Sequence, residues 1–204
     1  MDDAPIRVAY SLEQCWDPIP GEAASAALRI ADALRDRPGD VSVLQVVGKH
    51  ADHPPGAYCP VGSVAMLPLG QRWLYAAWVR LNWPKVESVT GPVDVAHATG
   101  FVPCATSVPL VVTVDDIKFL AEPGRLPKHI ERVMRRSFDV ILERADRVLC
   151  SSKATFDDCV RAGLDEAKLR LVLVGVDADV TLAAEQTLAV YRELVPASGG
   201  TAGS

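Results

Sequence analysis

Two adjacent carboxylates, Asp115 and Asp116, follow the apolar run Leu-Val-Val-Thr-Val at 110–114. A carboxylate at the end of a buried strand can take a proton from a hydroxyl or hold that hydroxyl by a hydrogen bond. The plainer alternative is that one caps the next turn while the other is solvated, and for an isolated Asp-Asp pair the two weigh equally. His97, in Val-Asp-Val-Ala-His-Ala at 93–98, offers a base or a hydroxyl contact. An imidazole bonded to a backbone carbonyl is the commoner fate of such a residue. Glu13 and Trp16 lie in Glu-Gln-Cys-Trp-Asp-Pro-Ile-Pro-Gly-Glu at 13–22, where they could hold and stack a polar ring, although Trp16 could equally cover a helix. Ser151, Ser152 and Thr155 read first as helix N-cap chemistry and second as ligand contacts.

Each of these groups follows a strand candidate. The candidates are 6–12, 41–47, 64–69, 93–98, 110–114, 147–150 and 169–174, several of them apolar throughout, as strands covered on both faces must be. Between them lie helix candidates at 22–36, 71–83, 127–144 and 152–162, the second stopped by Asn82-Trp83-Pro84 and the last by Gly163. This alternation predicts an α/β, Rossmann-like, doubly wound parallel sheet with helices on both faces. In such a sheet ligands bind outside the carboxyl ends of the strands, where helix N-termini offer donors to anions. The helix at 22–36 begins after Pro20-Gly21 and carries a stripe of small residues that lets it pack closely on the sheet. Neither G-x-G-x-x-G nor G-x-x-x-x-G-K-[ST] occurs, which removes most of the weight from dehydrogenase and NTPase readings.

Composition narrows the class further. A chain of 204 residues, about half of them apolar, with a net charge of −5, is an ordinary globular sequence with room for one large domain. No apolar run reaches the roughly 20 residues that span a bilayer, so no integral membrane segment is expected. The acidic N-terminus, Met-Asp-Asp-Ala-Pro, lacks the basic and apolar regions of a signal peptide, which points to the cytoplasm. The cysteines at 15, 59, 104, 150 and 159 are odd in number and form no C-x-x-C pair, arguing against both a disulfide framework and a zinc site. Mild acidity and the lack of a Lys/Arg cluster interleaved with aromatics argue against nucleic acid as a partner. The basic stretch 128–136 reads as the solvated face of a helix.

Taken together, Leu-Glu-Gln-Cys-Trp with Ile-Pro-Gly (12–21), Gly-Pro-Val-Asp-Val-Ala-His-Ala-Thr-Gly (91–100), 109–120, 143–163 and Leu-Arg-Leu-Val-Leu-Val-Gly-Val-Asp (169–177) resemble the N-terminal, acceptor-side domain of the family 4 glycosyltransferases of GT-B fold. The resemblance implies a nucleotide-sugar donor and a sugar or small-molecule acceptor. It also implies direct displacement at the anomeric carbon with retention, and neither a metal nor another cofactor. By the same resemblance Asp116 and His97 would contact the acceptor, and Asp115 would stand where the family usually has His. Glu13, Trp16 and Lys118 would shape the pocket, with Gly21, Glu22, Thr99, Gly100, Ser151 and Ser152 lining the substrate site. Members usually carry Gly-Gly where this chain has Gly21-Glu22, and a proline where it has Leu173.

In the family a second, donor-binding domain follows Gly175-Val176-Asp177. Here the segment after 177 instead resembles the family's last helix, which returns to the N-terminal domain; Val180, Ala184, Leu188, Tyr191 and Leu194 or Val195 form its apolar face. The expected organisation is therefore a domain at 1–177, a returning helix at 178–195 and a flexible tail at 196–204. Without the donor domain the chain is expected to be inactive alone. It would then act as half of an enzyme, completed by a homodimer or a separate donor domain, or as a single-domain binding or scaffold module.

Overall fold

Seven short strands pair side by side in the order β3-β2-β1-β4-β5-β6-β7, all parallel. They are β1 (Ile6–Ser11), β2 (Val41–Val47), β3 (Val64–Met66), β4 (Val95–Ala98), β5 (Leu110–Val114), β6 (Arg147–Cys150) and β7 (Leu169–Leu171). The helices are α1 (Glu22–Arg35), α2 (Gln71–Leu81), α3 (Glu87–Thr90), α4 (Lys128–Arg144), α5 (Lys153–Arg161) and α6 (Val180–Leu194). This computed structural model describes residues 4–122, 124, 126–174 and 179–195, and Gly175-Val176-Asp177 and the tail expected at 196–204 lie outside them. The architecture is the doubly wound α/β sheet read from the sequence, with its order reversing between β1 and β4.

Period-two alternation divides the core into two layers. Val8 and Tyr10 of β1, Val95 of β4, Val111 of β5 and Leu149 of β6 pack with α1 and α6. Their neighbours Ala9, Ala96, Ala98, Val112, Val114, Val148 and Cys150 pack on the opposite face with Trp78 of α2, Phe138 and Ile141 of α4 and Cys159 of α5. Cys150 and Cys159 are thus small buried hydrophobes.

Element ends have local causes. The third strand stops at Met66, short of 69: Leu67 still donates its amide to Val47, but Pro68 has none to give. The last strand stops at Leu171 rather than 174, because after Val172 bonds Cys150 its neighbour β6 has turned into α5. Helix α2 ends at Leu81 because Asn82 adopts the left-handed conformation (φ 48°). Asn82 exchanges hydrogen bonds with the backbone of Thr106, and its Oδ1 also accepts from Arg144.

A titratable group in the α1/α6 layer is His97, 2% exposed in mid-sheet. Its Nδ1 lies 2.7 Å from the Tyr191 hydroxyl of α6, and its Nε2 lies 2.8 Å from Thr113 Oγ1 of β5. The ring also meets Tyr10 edge-on, and Tyr10 donates its hydroxyl to Ala27 O of α1. A neutral imidazole has one donor and one acceptor nitrogen, and two hydroxyls satisfy both. Burying Leu188 and Val190 of the same helix contributes about 1.5–3 kcal/mol each. Exposed ion pairs of Arg37 with Glu185 and of Arg192 with Asp40 add little.

Burial pushes the His97 imidazole down from 6.5 to about 3, so the folded protein holds it neutral where the unfolded chain protonates it. The stability this contributes is complete above about pH 6.5 and is lost as pH falls from there toward 3, at up to about 1.4 kcal/mol per pH unit. We expect the urea-unfolding free energy of the wild type to fall more steeply between about pH 6.5 and 5 than that of His97→Gln. Parallel profiles for the two proteins would remove His97 as the source.

Candidate functional site

The carboxyl edge of the sheet carries three groups of polar side chains. The first sits over β1 and β2. Glu13, 2% exposed, accepts the Gly48 amide on Oε2 and lies 2.9 Å from His50 Nε2 through Oε1. Trp16 stacks on the His50 ring, 4.9 Å between centroids and 18° between planes, and donates its indole N–H to Asp52 O. Gln71 at the start of α2 donates to Asp17 at 2.6 Å. Burial pushes the carboxyls of Glu13 and Asp17 up, against the opposing pull of the Gly48 amide on Glu13 and of Gln71 on Asp17. A carboxylate that fixes one ring nitrogen of a histidine leaves the other able to accept a proton, so Glu13 and His50 form an oriented acid–base pair.

Gly48 makes that pair possible. A Cβ there would stand 2.8 Å from Leu69 O, 3.0 Å from Leu74 Cδ2 and 3.1 Å from Glu13 Oε1. Only glycine lets the end of β2 come so near the carboxylate.

The second group lies at the switch point between β1 and β4. Thr99 donates its hydroxyl to Ser11 O, and the side-chain amide of Gln14 donates to Thr99 Oγ1 at 2.7 Å. Thr99 is buried, and Gly100 faces the same Gln14 side chain. These bonds tie the two loops that flank the crevice where a doubly wound sheet takes its ligand.

The third group joins β5, β6 and α1. Asp115 is half-buried and hydrogen-bonds Ser151, while its backbone carbonyl accepts from Thr155. Burial pushes the Asp115 carboxyl up, and the nearby charges of Glu22 and Asp116 add to that effect against the Ser151 bond. Asp115 also lines, with His97, Thr99 and Thr113, a cleft between α1 and α6 that holds about 360 Å³ of atom-free space, partly open to solvent. Gly21 and Glu22 are exposed at the start of α1, and the Gly21 Cα faces open space.

The structure therefore brings His97, Thr99 and Asp115 to one cleft, with Ser151 and Glu22 beside Asp115, and sets Glu13 and Trp16 in a separate group. The remaining candidates serve local geometry. Asp116 is exposed and accepts the Lys118 amide, a two-residue Asx turn. Lys118 points to solvent, and Ser152 caps α5 by accepting the Thr155 amide. Sequence reasoning missed His50 and Gln14. The signal for His50 was present: Gly48-Lys49-His50 follows β2 directly, as the other candidates follow their strands. Nothing in the sequence pointed to Gln14, whose role comes from the approach of the β4 loop. Among the described residues no three His, Cys, Asp or Glu side chains converge as metal ligands would.

Residues 23–180 match the family model described as Glycosyltransferase Family 4, well over half of the chain. The chain belongs to Glycosyltransferase Family 4. No curated protein matches this family member's sequence. Among solved structures, Anabaena Alr3699/HepE, determined with UDP and glucose, is similar at 20% identity and a TM-score of 0.49 over 84% of this chain and 45% of its own. A protein from Listeria monocytogenes described as a putative UDP-N-acetylglucosamine 2-epimerase is similar at 14% identity and a TM-score of 0.54 over 82% of this chain and 45% of its own. At that identity the second likeness is one of fold. This family 4 chain spans less than half the length of either structure.

Gly48→Ala should lower the unfolding free energy by about 1–3 kcal/mol, since backbone and Glu13 must move to admit the methyl group. Gly39→Ala, which meets nothing within 4 Å, should stay within about 0.5 kcal/mol of wild type. Denaturant titration of both variants checks this, and equal midpoints would contradict the tight approach.

Proposed function

We propose that this chain is the acceptor-side half of a glycosyltransferase that moves a sugar from a nucleotide-sugar donor to an acceptor hydroxyl. The observation that carries this reading is the family match over 23–180, which covers every strand from β2 to β7 and all three polar groups at least in part. The solved relative with UDP and glucose is in keeping with a nucleotide-sugar donor.

In this proposal Asp115 contacts the acceptor in the cleft between α1 and α6, while His97 and Thr99, whose polar atoms already have partners within the protein, hold the wall of that cleft in place. Asp115 is the group placed to accept a hydrogen bond from the attacking hydroxyl. The first-turn amides of α1, behind Gly21, face the departing nucleotide diphosphate, whose negative charge a helix N-terminus stabilises. Glu22 is the discordant feature there, since its carboxylate would repel that anion. The Glu13–His50 pair, which holds the loop after β1 against β2, shapes the wall of the acceptor side.

All strands among the described residues belong to one sheet, so a second sheet able to hold the donor is not among them. We propose accordingly that transfer requires a second, donor-holding domain to close the cleft.

Calorimetric titration of the purified chain with uridine and guanosine diphosphate sugars, run beside an assay of nucleotide diphosphate release, tests both parts. We expect no turnover from the chain alone, and turnover when a family donor domain is added. Turnover by the chain alone would overturn the need for a second domain. Failure of any family donor domain to restore transfer, with no sugar or nucleotide bound by the cleft, would overturn the assignment to sugar transfer.

A further inference from the structure

Helix α2 buries one side and leaves the other with an unusual composition. Leu74 and Trp78 face the core, and Trp78 donates its indole N–H to Pro84 O. The opposite side presents Trp73, 68% exposed, and Leu81, 71% exposed, and Trp83 follows just past the helix at 52%. At about 100° per residue, Arg80 falls within about 20° of Trp73, and Arg72 and Leu81 flank them on either side. Ala76 and Ala77 fill the strip between. The outward face therefore holds only aromatic, aliphatic and cationic side chains.

The charge is one-sided along the chain as well. No Asp or Glu occurs between Asp52 and Glu87, whereas Arg72, Arg80 and Lys85 all lie there in a protein of net charge −5. Arg72 sits over the Trp73 ring at 5.8 Å, and among the described residues neither Arg72 nor Arg80 has a carboxylate partner. Several arginines elsewhere do find one, as Arg37 finds Glu185 and Arg161 finds Asp158.

We propose that the outer face of α2, continued by Trp83 and Lys85, docks this protein on an anionic lipid surface. Exposed tryptophans settle at the headgroup level, where ring and indole N–H find apolar and wet surroundings together, and arginine and lysine add attraction to anionic headgroups. The helix lies in the plane of that surface and does not enter the bilayer, since no helix among the described residues is long and apolar enough to cross one. A second copy of the chain is a poorer occupant. A two-fold contact through this face would set Arg72 and Arg80 against their own counterparts. The proposal stands apart from the sugar-transfer reading and does not depend on it.

Flotation of the full chain with vesicles of phosphatidylcholine alone, and of phosphatidylcholine carrying one third phosphatidylglycerol, tests it. We expect association with the anionic vesicles only, weakened by raised salt. Arg72→Glu with Arg80→Glu should lower the partition coefficient by at least about tenfold, and Trp73→Ser by a similar factor. These side chains are exposed, so circular dichroism should show the fold intact in both variants. Absence of binding to anionic vesicles, or equal binding by the variants, would overturn the proposal. Concentration-dependent dimerisation abolished by Trp73→Ser, without vesicle binding, would assign the face to a second copy instead.

Discussion

The hydrogen bonds of His97 to Tyr191 and Thr113 are the interaction on which this fold turns. A parallel sheet must be covered on both faces, and on one of them α1 reaches only part of the strands. Helix α6 supplies the rest, placing Ala184, Leu188 and Tyr191 against the sheet. A histidine in the middle of that layer would be costly without partners, because an unsatisfied buried imidazole forfeits its hydrogen bonds to water. The Tyr191 hydroxyl removes that penalty on the α6 side and Thr113 on the β5 side. The same bonds therefore dock α6, while burial keeps the ring neutral.

From that constraint follows the layout of the carboxyl edge. With α6 seated, the cleft beside α1 is walled by His97, Thr99, Thr113 and Asp115 below and by Thr187 of α6 above. Burial raises the Asp115 carboxyl, and Glu22 at the mouth of α1 reinforces the effect. A separate acid–base pair, Glu13 with His50, is assembled elsewhere along the edge, where Gly48 allows the backbone of β2 close to the carboxylate. Between the two, Gln14 and Thr99 hold the switch point together. The edge thus carries three polar groups, and their separation comes from which loops the sheet order makes neighbours.

The surface away from this edge follows a different logic. On α2 the core side is dictated by packing against the sheet, while the outer side is free of structural duty. Trp73, Arg72 and Arg80 there are exposed and, among the described residues, neither arginine has a carboxylate partner, which sets them apart from the arginines engaged in ion pairs elsewhere.

Much of the fold was legible in the residues. Strand–helix alternation fixes a parallel doubly wound sheet, because each crossover has one favoured hand, and the apolar runs and terminators placed every strand and the major helices within a few residues. Helix and strand ends were less legible. They depended on whether a neighbouring strand was still there to pair, as at Leu171, and on a proline or a left-handed asparagine, as at Pro68 and Asn82. The candidate site was legible only as residue types at strand ends. Whether Asp116 meets a ligand or its own Lys118 amide, and whether His97 faces water or Tyr191, is decided by partners far away in the chain or by local turn geometry. His50 reaches Glu13 across 37 positions and Tyr191 reaches His97 across 94, distances over which no sequence pattern carries information. Sequence alone therefore determined the layers and the edge on which chemistry could occur. Tertiary structure decided which side chains share a cleft, because hydrogen bonds and burial act between atoms brought together only by the closed sheet.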